Sequence, residues 1–325
     1  MKEIRFPNNK TFVFTIIDDT DDSFLENTKP IYDFLFENGI LITKTIWVYP
    51  PRDRESKGHS LQHHGYREFL LDIKRKGYEI ALHNIGSGTY YREEILKGLK
   101  EYKKIFGDYP KIQTNHSYNI DSIYGGYKRF SFLFSFLIKL LHPVYSQKYE
   151  GEIPKSPHFW GDLHKKLIKY NRNYETDQLN TIKFNPYMPY LDKSKEQYSN
   201  YWFSSTFAPN QWMFNKIVTP ESIDKLENEG GVCILNTHLG YYMKNGKIDQ
   251  GFIDKINYIS KKNNGWFMPV STVLDYLMEN KTRNIVIPKI REFKLELLYL
   301  FIRFKYRRIL KIDDYTFKKS NEYSS

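Results

Sequence analysis

The sequence predicts an α/β fold built on a parallel sheet that closes as a barrel. Three observations carry that reading. Strand-like and helix-like segments alternate over most of the first 280 residues, the signature of βα units. Several of the strands end directly on Asp or His, as they do where a barrel's C-terminal strand ends meet at one mouth. No GxGxxG and no P-loop sequence is present, which counts against a nucleotide-binding open sheet, the competing arrangement.

Taken in order, residues 11–17 (TFVFTII) are β-rich and stop at Asp18-Asp19. Residues 28–39 read as a helix with Thr28 as cap, Pro30 in its first turn and Gly39 past its end. A strand at 44–49 is closed by Pro50-Pro51, and a helix at 60–76 stops at Gly77. A short strand at 78–82 ends at His83, a helix covers 91–105, and a weaker strand at 111–115 ends near His116. The stretch 120–215 reads as a helix-like run at 127–142 followed by a loop-rich insertion dense in aromatics, including Trp160, Trp202 and Trp212. Order returns with a helix opened by Thr219-Pro220, a buried-type strand at 232–237 ending at His238, and helices near 251–262 and 271–279 flanking a short strand at Trp266. The division expected is a barrel over 1–280 and a basic helix or tail over 281–325.

Of the 325 residues, 40% are apolar and 27% charged, ordinary values for a globular chain. The net charge is +11, but the basic residues are dispersed and no nucleic-acid-binding motif is present, so nucleic acid is not expected as a partner. The single cysteine, Cys233, excludes an intrachain disulfide framework. The start, MKEIRFPNNK, has no apolar core of a secretory signal. The apolar stretch 130–144 is interrupted by Lys139, His142 and Pro143, short of a spanning helix. A cytoplasmic protein is expected. Residues 289–311 hold eight Lys or Arg against Glu292 and Glu296, interleaved with leucines and phenylalanines. This is either a basic amphipathic helix resting on an anionic membrane or a helix docked on the domain with solvated lysines.

The candidate chemistry sits at the strand ends. Of Asp18 and Asp19, one can bind a metal while the other faces an attacking water, because neighbouring side chains point in different directions; capping of the following acidic turn is the plain alternative. His83, His116 and His238 each offer the commonest metal-binding side chain, or a histidine satisfied at a barrel rim.

Together these segments resemble the polysaccharide deacetylases, the NodB-like carbohydrate esterases, and among them the deacetylase-like proteins of O-antigen and capsule clusters. FTIIDDTDD looks like the family's TFDDG motif, GYEIALHNIGS like its GHEIGNHTxxH motif, and ILNTHLGYY like its late LxH motif, with Asn236 in the leucine's place. NNGWFMPVSTVLDYL is similar to the family's closing stretch, and SPHFWGD and NYWFSS to the O-antigen subgroup. The resemblance implies a distorted (β/α)7 TIM-like barrel and a divalent metal, commonly zinc. It implies a metal-dependent deacetylase of a glycan or glycan precursor in surface-polysaccharide biosynthesis. Asp18 becomes the general base, Asp19 and His83 metal ligands, and His238 the general acid. Ser87 stands where the family's second histidine falls, and His116, from the next strand end, can supply the missing imidazole. The family's third motif, with its arginine, is not recognisable in KIQTNHSYN. Arg52 and the mid-chain tryptophans are candidate sugar contacts. The alternatives are a catalytically inactive barrel of this type that binds sugar or a partner enzyme, favoured by Ser87, and a metal hydrolase of a non-sugar amide.

Overall fold

A computed structural model describes residues 5–53, 56–117, 119–141 and 148–306. The end of the 127–142 run and the tail beyond Tyr306, to which part of the expected basic segment belongs, lie outside the described residues. The strands in chain order are β1 Phe12–Asp18, β2 Thr43–Ile46, β3 Glu79–His83, β4 Ile112–Thr114, β5 Tyr170–Thr176, β6 Tyr201–Phe207 and β7 Val232–Thr237. A hairpin of β8 Met243–Lys244 and β9 Lys247–Ile248 follows, then β10 Gly265–Trp266. The helices are α1 Leu25–Glu37, α2 His64–Arg75, α3 Arg92–Phe106, α4 Phe132–Leu141, α5 Gly161–Leu167 and α6 Thr181–Phe184. They continue with α7 Gln211–Ile217, α8 Pro220–Asn228, α9 Gln250–Ser260, α10 Val270–Glu279 and α11 Lys289–Phe304.

Strands β1 to β7 pair in chain order, all parallel, and β7 returns to β1. That last pairing runs in register from Val13↔Val232 to Asp18↔Thr237, with Phe14 opposite Cys233. The sheet is therefore a closed seven-stranded barrel, the fold expected from the sequence. The short β10 lies against the start of β1.

Alternation along β1 sorts its side chains. Phe12, Phe14 and Ile16 belong to a layer shared with residues of α1, α8 and α9. Val13 and Ile17 join Ala81 of β3, Ile112 of β4 and Ile234 of β7 in a second cluster, a meeting of non-adjacent strands possible only inside the barrel. Burying each such Ile or Phe contributes about 1.5–3 kcal/mol. Since both faces are covered, the strand reads as an almost unbroken apolar run.

Local signals set the element ends, with two departures from expectation. Helix α1 starts at Leu25 rather than at Thr28, because the Asn27 side chain accepts from the Phe24 backbone N–H at 2.8 Å and caps the chain earlier. Thr28 is then buried inside the helix. Gly77, at φ +98°, ends α2 and turns the chain into β3. Thr219 caps α8 by accepting from the Ser222 N–H at 3.2 Å, with Pro220 in the first turn.

The second departure is larger. Residues 120–215, expected as a loop-rich insertion, contain two of the barrel's strands, β5 and β6. Their sequences, YNRNYET and YWFSSTF, carry Asn, Ser, Arg and Glu among the aromatics and lack the β-branched runs that mark β1 and β7. No helix among the described residues is long and apolar enough to cross a membrane.

Candidate active site

Strand alternation decides which of the first two acids can reach the barrel mouth. Asp18 follows Phe12, Phe14 and Ile16 onto the outer face. There its carboxylate is fully buried and pairs with Lys44 at 2.8 Å. It also accepts from the Tyr32 hydroxyl of α1 at 3.0 Å and from the Leu239 N–H at 2.9 Å. Both oxygens are thereby committed between strand and helix, so Asp18, expected as the general base, is not brought together with the histidines.

Asp19 takes the inward face. Its Oδ1 is 3.1 Å from His83 Nε2, and its Oδ2 lies 3.9 Å from His238 Nε2 and 3.7 Å from the Arg172 guanidinium. Burial works against its charge, but His83, His238 and Arg172 outweigh burial and hold the carboxyl below the usual aspartate range.

The chain then turns back over the mouth. The Ser23 N–H donates to the Thr20 carbonyl at 3.1 Å, closing a turn with Asp22 at φ +54°. The turn is pinned from outside: the Tyr241 hydroxyl donates to Asp22 Oδ2 at 2.7 Å, and Gly240 packs so closely that a Cβ there would lie 2.4 Å from the Asp22 carbonyl. This swings Asp21 toward the histidines. Its Oδ1 lies 3.6 Å from His116 Nε2 and 3.9 Å from His83 Nε2, and its Oδ2 3.8 Å from His238 Nε2.

Each histidine is oriented from its far nitrogen. His83 Nδ1 bonds Thr114 Oγ1 at 2.6 Å. His116 Nδ1 is 3.1 Å from Asn119 Oδ1, which also accepts the Gly88 N–H, while Asn119 Nδ2 donates to the Gly86 carbonyl. Asn119 thus presents an acceptor and His116 carries a proton on Nδ1, while its Nε2 faces the Ser56 hydroxyl at 3.1 Å and Asp21. His238 Nδ1 donates to the Pro209 carbonyl at 2.7 Å, which leaves Nε2 to exchange protons. Asn84, at φ +45°, accepts from the His116 N–H at 2.7 Å and donates to Asp121 at 2.8 Å, tying the ends of β3 and β4 together.

Burial pulls the His83 pKa down to about 4, against the opposing pull of Asp19 and Asp21. His116 and His238 are pushed the other way: burial opposes their charge, but Asp21 and Asp19 beside them raise both above the ordinary histidine value.

Among the described residues, Asp21, His83 and His116 form a group whose ligand atoms all lie within 4.8 Å of one another. Asp21 Oδ1 is buried and has no hydrogen-bond partner. A buried carboxylate oxygen facing two imidazole nitrogens, 3.6 Å from His116 Nε2 and 3.9 Å from His83 Nε2, is the donor set of a divalent transition metal. The residues fit the implied metal. Ser87 does not share this role; its hydroxyl donates to Asp53 and lies 3.4 Å from His116 Nε2.

Three residues of the site were not singled out from the sequence. Asp21 looked like part of an ordinary acidic loop. Arg172 sits on β5, a strand not expected. Trp47, just past β2, covers the ligands, 6.3 Å from the His83 ring and 5.9 Å from the His116 ring; its place at a strand end was the available signal. The candidate sugar contacts mostly serve the scaffold. Arg52 pairs with Glu94 and lies 3.9 Å over Tyr90, and Trp160 and Trp202 are buried. Trp212 is half exposed.

No family model and no curated protein sequence matches this chain. Solved structures share its fold. Puue allantoinase superposes with a TM-score of 0.53 at 9% identity, over 86% of this chain and 94% of that one. A probable polysaccharide deacetylase from Pseudomonas aeruginosa PAO1 does so with a TM-score of 0.50 at 9% identity, over 86% and 95%. At such identities the likeness is one of fold: a (β/α)7 barrel of the polysaccharide-deacetylase type.

Proposed function

We propose that this chain is a metal-dependent hydrolase that removes an acetyl group from a glycan or glycan precursor in surface-polysaccharide biosynthesis. The observation that carries the reading is the convergence of a buried Asp21 oxygen with the His83 and His116 nitrogens, all within 4.8 Å of one another. In this proposal Asp21, His83 and His116 hold the metal, so the ligand role expected of Asp19 passes to Asp21. The role of general base passes from Asp18 to Asp19. The likeness of SPHFWGD and NYWFSS to the O-antigen subgroup supports the glycan assignment.

When bound, a divalent ion supplies Lewis-acid polarisation of the scissile carbonyl and acidifies the attacking water. Asp19 is kept ionised by His83, His238 and Arg172 and accepts the proton of that water. Arg172, 3.7 Å from Asp19 Oδ2, orients the carboxylate. His238, held through Nδ1 by the Pro209 carbonyl, donates its Nε2 proton to the departing amine or hydroxyl. The raised His238 pKa favours the protonated form that this step needs. Asp21 and His238 are the members of the group that reach solvent, 25% and 17% exposed, so substrate approaches from their side.

The test combines metal analysis of the purified protein with acetate release from nucleotide-linked and lipid-linked acetamido sugars. About one zinc-like ion per chain is expected, with acetate released from at least one sugar class. Metal-free protein that still binds sugar would instead make the chain a binding module.

A further inference from the structure

Helices α4 and α11 lie side by side. The Phe134 and Phe293 rings are 5.1 Å apart, and the Ser131 hydroxyl donates to Glu296 at 2.6 Å. The face they turn outward is apolar. On α4, Phe132, Phe136 and Leu140 are 90%, 60% and 70% exposed, at the spacing of one helix face. On α11, Ile290, Phe293, Leu297, Phe301 and Phe304 are each at least 40% exposed and recur every three or four residues. A contiguous apolar patch of this kind marks an interaction surface.

The exposed charges that α4 and α11 themselves carry have one sign. Glu292 and Glu296, the acids of α11, are both buried against the protein. Lys289 and Lys294 of α11 and Lys139 of α4 are exposed, and α4 has no acid. A second copy docked through the same patch would set these lysines against one another. An anionic lipid surface complements them and accepts the phenylalanines as well. Neither helix meets the length a span requires: α4 has 10 residues and α11 has 16, against the ~20 needed.

We propose that the joint α4–α11 face docks on the surface of an anionic phospholipid bilayer. The C-terminal end of α11 packs at the strand-end side of the barrel: Lys305 pairs with Asp177, just past β5, at 2.8 Å, and Arg303 lies 5.1 Å over Phe207 at the end of β6. The proposal stands independently of the hydrolase reading.

The full chain is sedimented with vesicles of equal parts phosphatidylcholine and phosphatidylglycerol, and with phosphatidylcholine alone. Binding to the mixed vesicles is expected, weakening as salt rises above roughly 0.1 M. Lys289→Ala/Lys294→Ala should weaken it about thirtyfold. Phe136→Asp/Phe301→Asp, at exposed positions and with an unchanged melting temperature, should abolish it. Equal binding to phosphatidylcholine alone, no binding to either vesicle, or binding that both variants leave intact would overturn the proposal. So would a concentration-dependent dimer in analytical ultracentrifugation that Phe136→Asp/Phe301→Asp dissociates, which would give the face to a second copy.

Discussion

Four acids within five residues, Asp18, Asp19, Asp21 and Asp22, meet four different environments, and substitutions should separate them. Asp18→Asn strands the buried Lys44 ammonium and should cost about 3–5 kcal/mol of stability, read as a lowered melting temperature with metal content unchanged. Asp21→Asn should do the reverse, lowering bound metal severalfold at nearly constant melting temperature. Asp19→Asn should keep the metal while turnover falls by about 10²–10⁴; full activity in this variant would remove Asp19 from the role of base. His83, His116 and His238 could be picked out as candidates because each lies at the end of a strand or within two residues past it. The partition of the acids could be read only halfway. Alternation separates Asp18 from Asp19, but the swing of Asp21 depends on a left-handed residue at Asp22 and on Tyr241 and Gly240, contacts some 220 residues away that no local pattern announces.

Elements whose identity rests on short-range chemistry were legible. Strand β7 runs over the expected 232–237, and α8 is set by Thr219 and Pro220. Strands β5 and β6 were not, because what makes them strands is a place between β4 and β7, not propensity; Arg172 was lost with them. The docking of α11 is likewise tertiary. Its inner face buries Leu295, Tyr299 and Ile302, and Leu295→Ala should cost about 2–5 kcal/mol in denaturant unfolding. The same face carries Glu292, whose pKa is pushed up to about 7 by burial and by Asp192 and Glu296, against the opposing Lys195. An acid raised in the folded state binds more protons than the unfolded chain between about 4.5 and 7, so its contribution to stability falls as pH rises through that window. Glu292→Gln should therefore lose less melting temperature than the unmodified chain between pH 5 and pH 8. An identical loss in both would mean that this carboxyl titrates normally.

At the scale of the molecule, closure does what no single βα unit can. Residues from positions 19, 21, 83, 116, 172 and 238 face one another because seven strands return to the first. The seam of that closure has its own reporter. Cys233, the chain's only cysteine, sits opposite Phe14 on the β1–β7 register, fully buried, its thiol pushed up by burial. In the native protein it should be silent toward Ellman's reagent, and its labelling rate under mild denaturant should track global unfolding. A native-state reaction within minutes would show that the seam opens by itself. The chain therefore arrives as a natural background for site-specific probes: Phe136→Cys would place the sole reactive sulfur on the surface, ready for a spin label or a fluorophore.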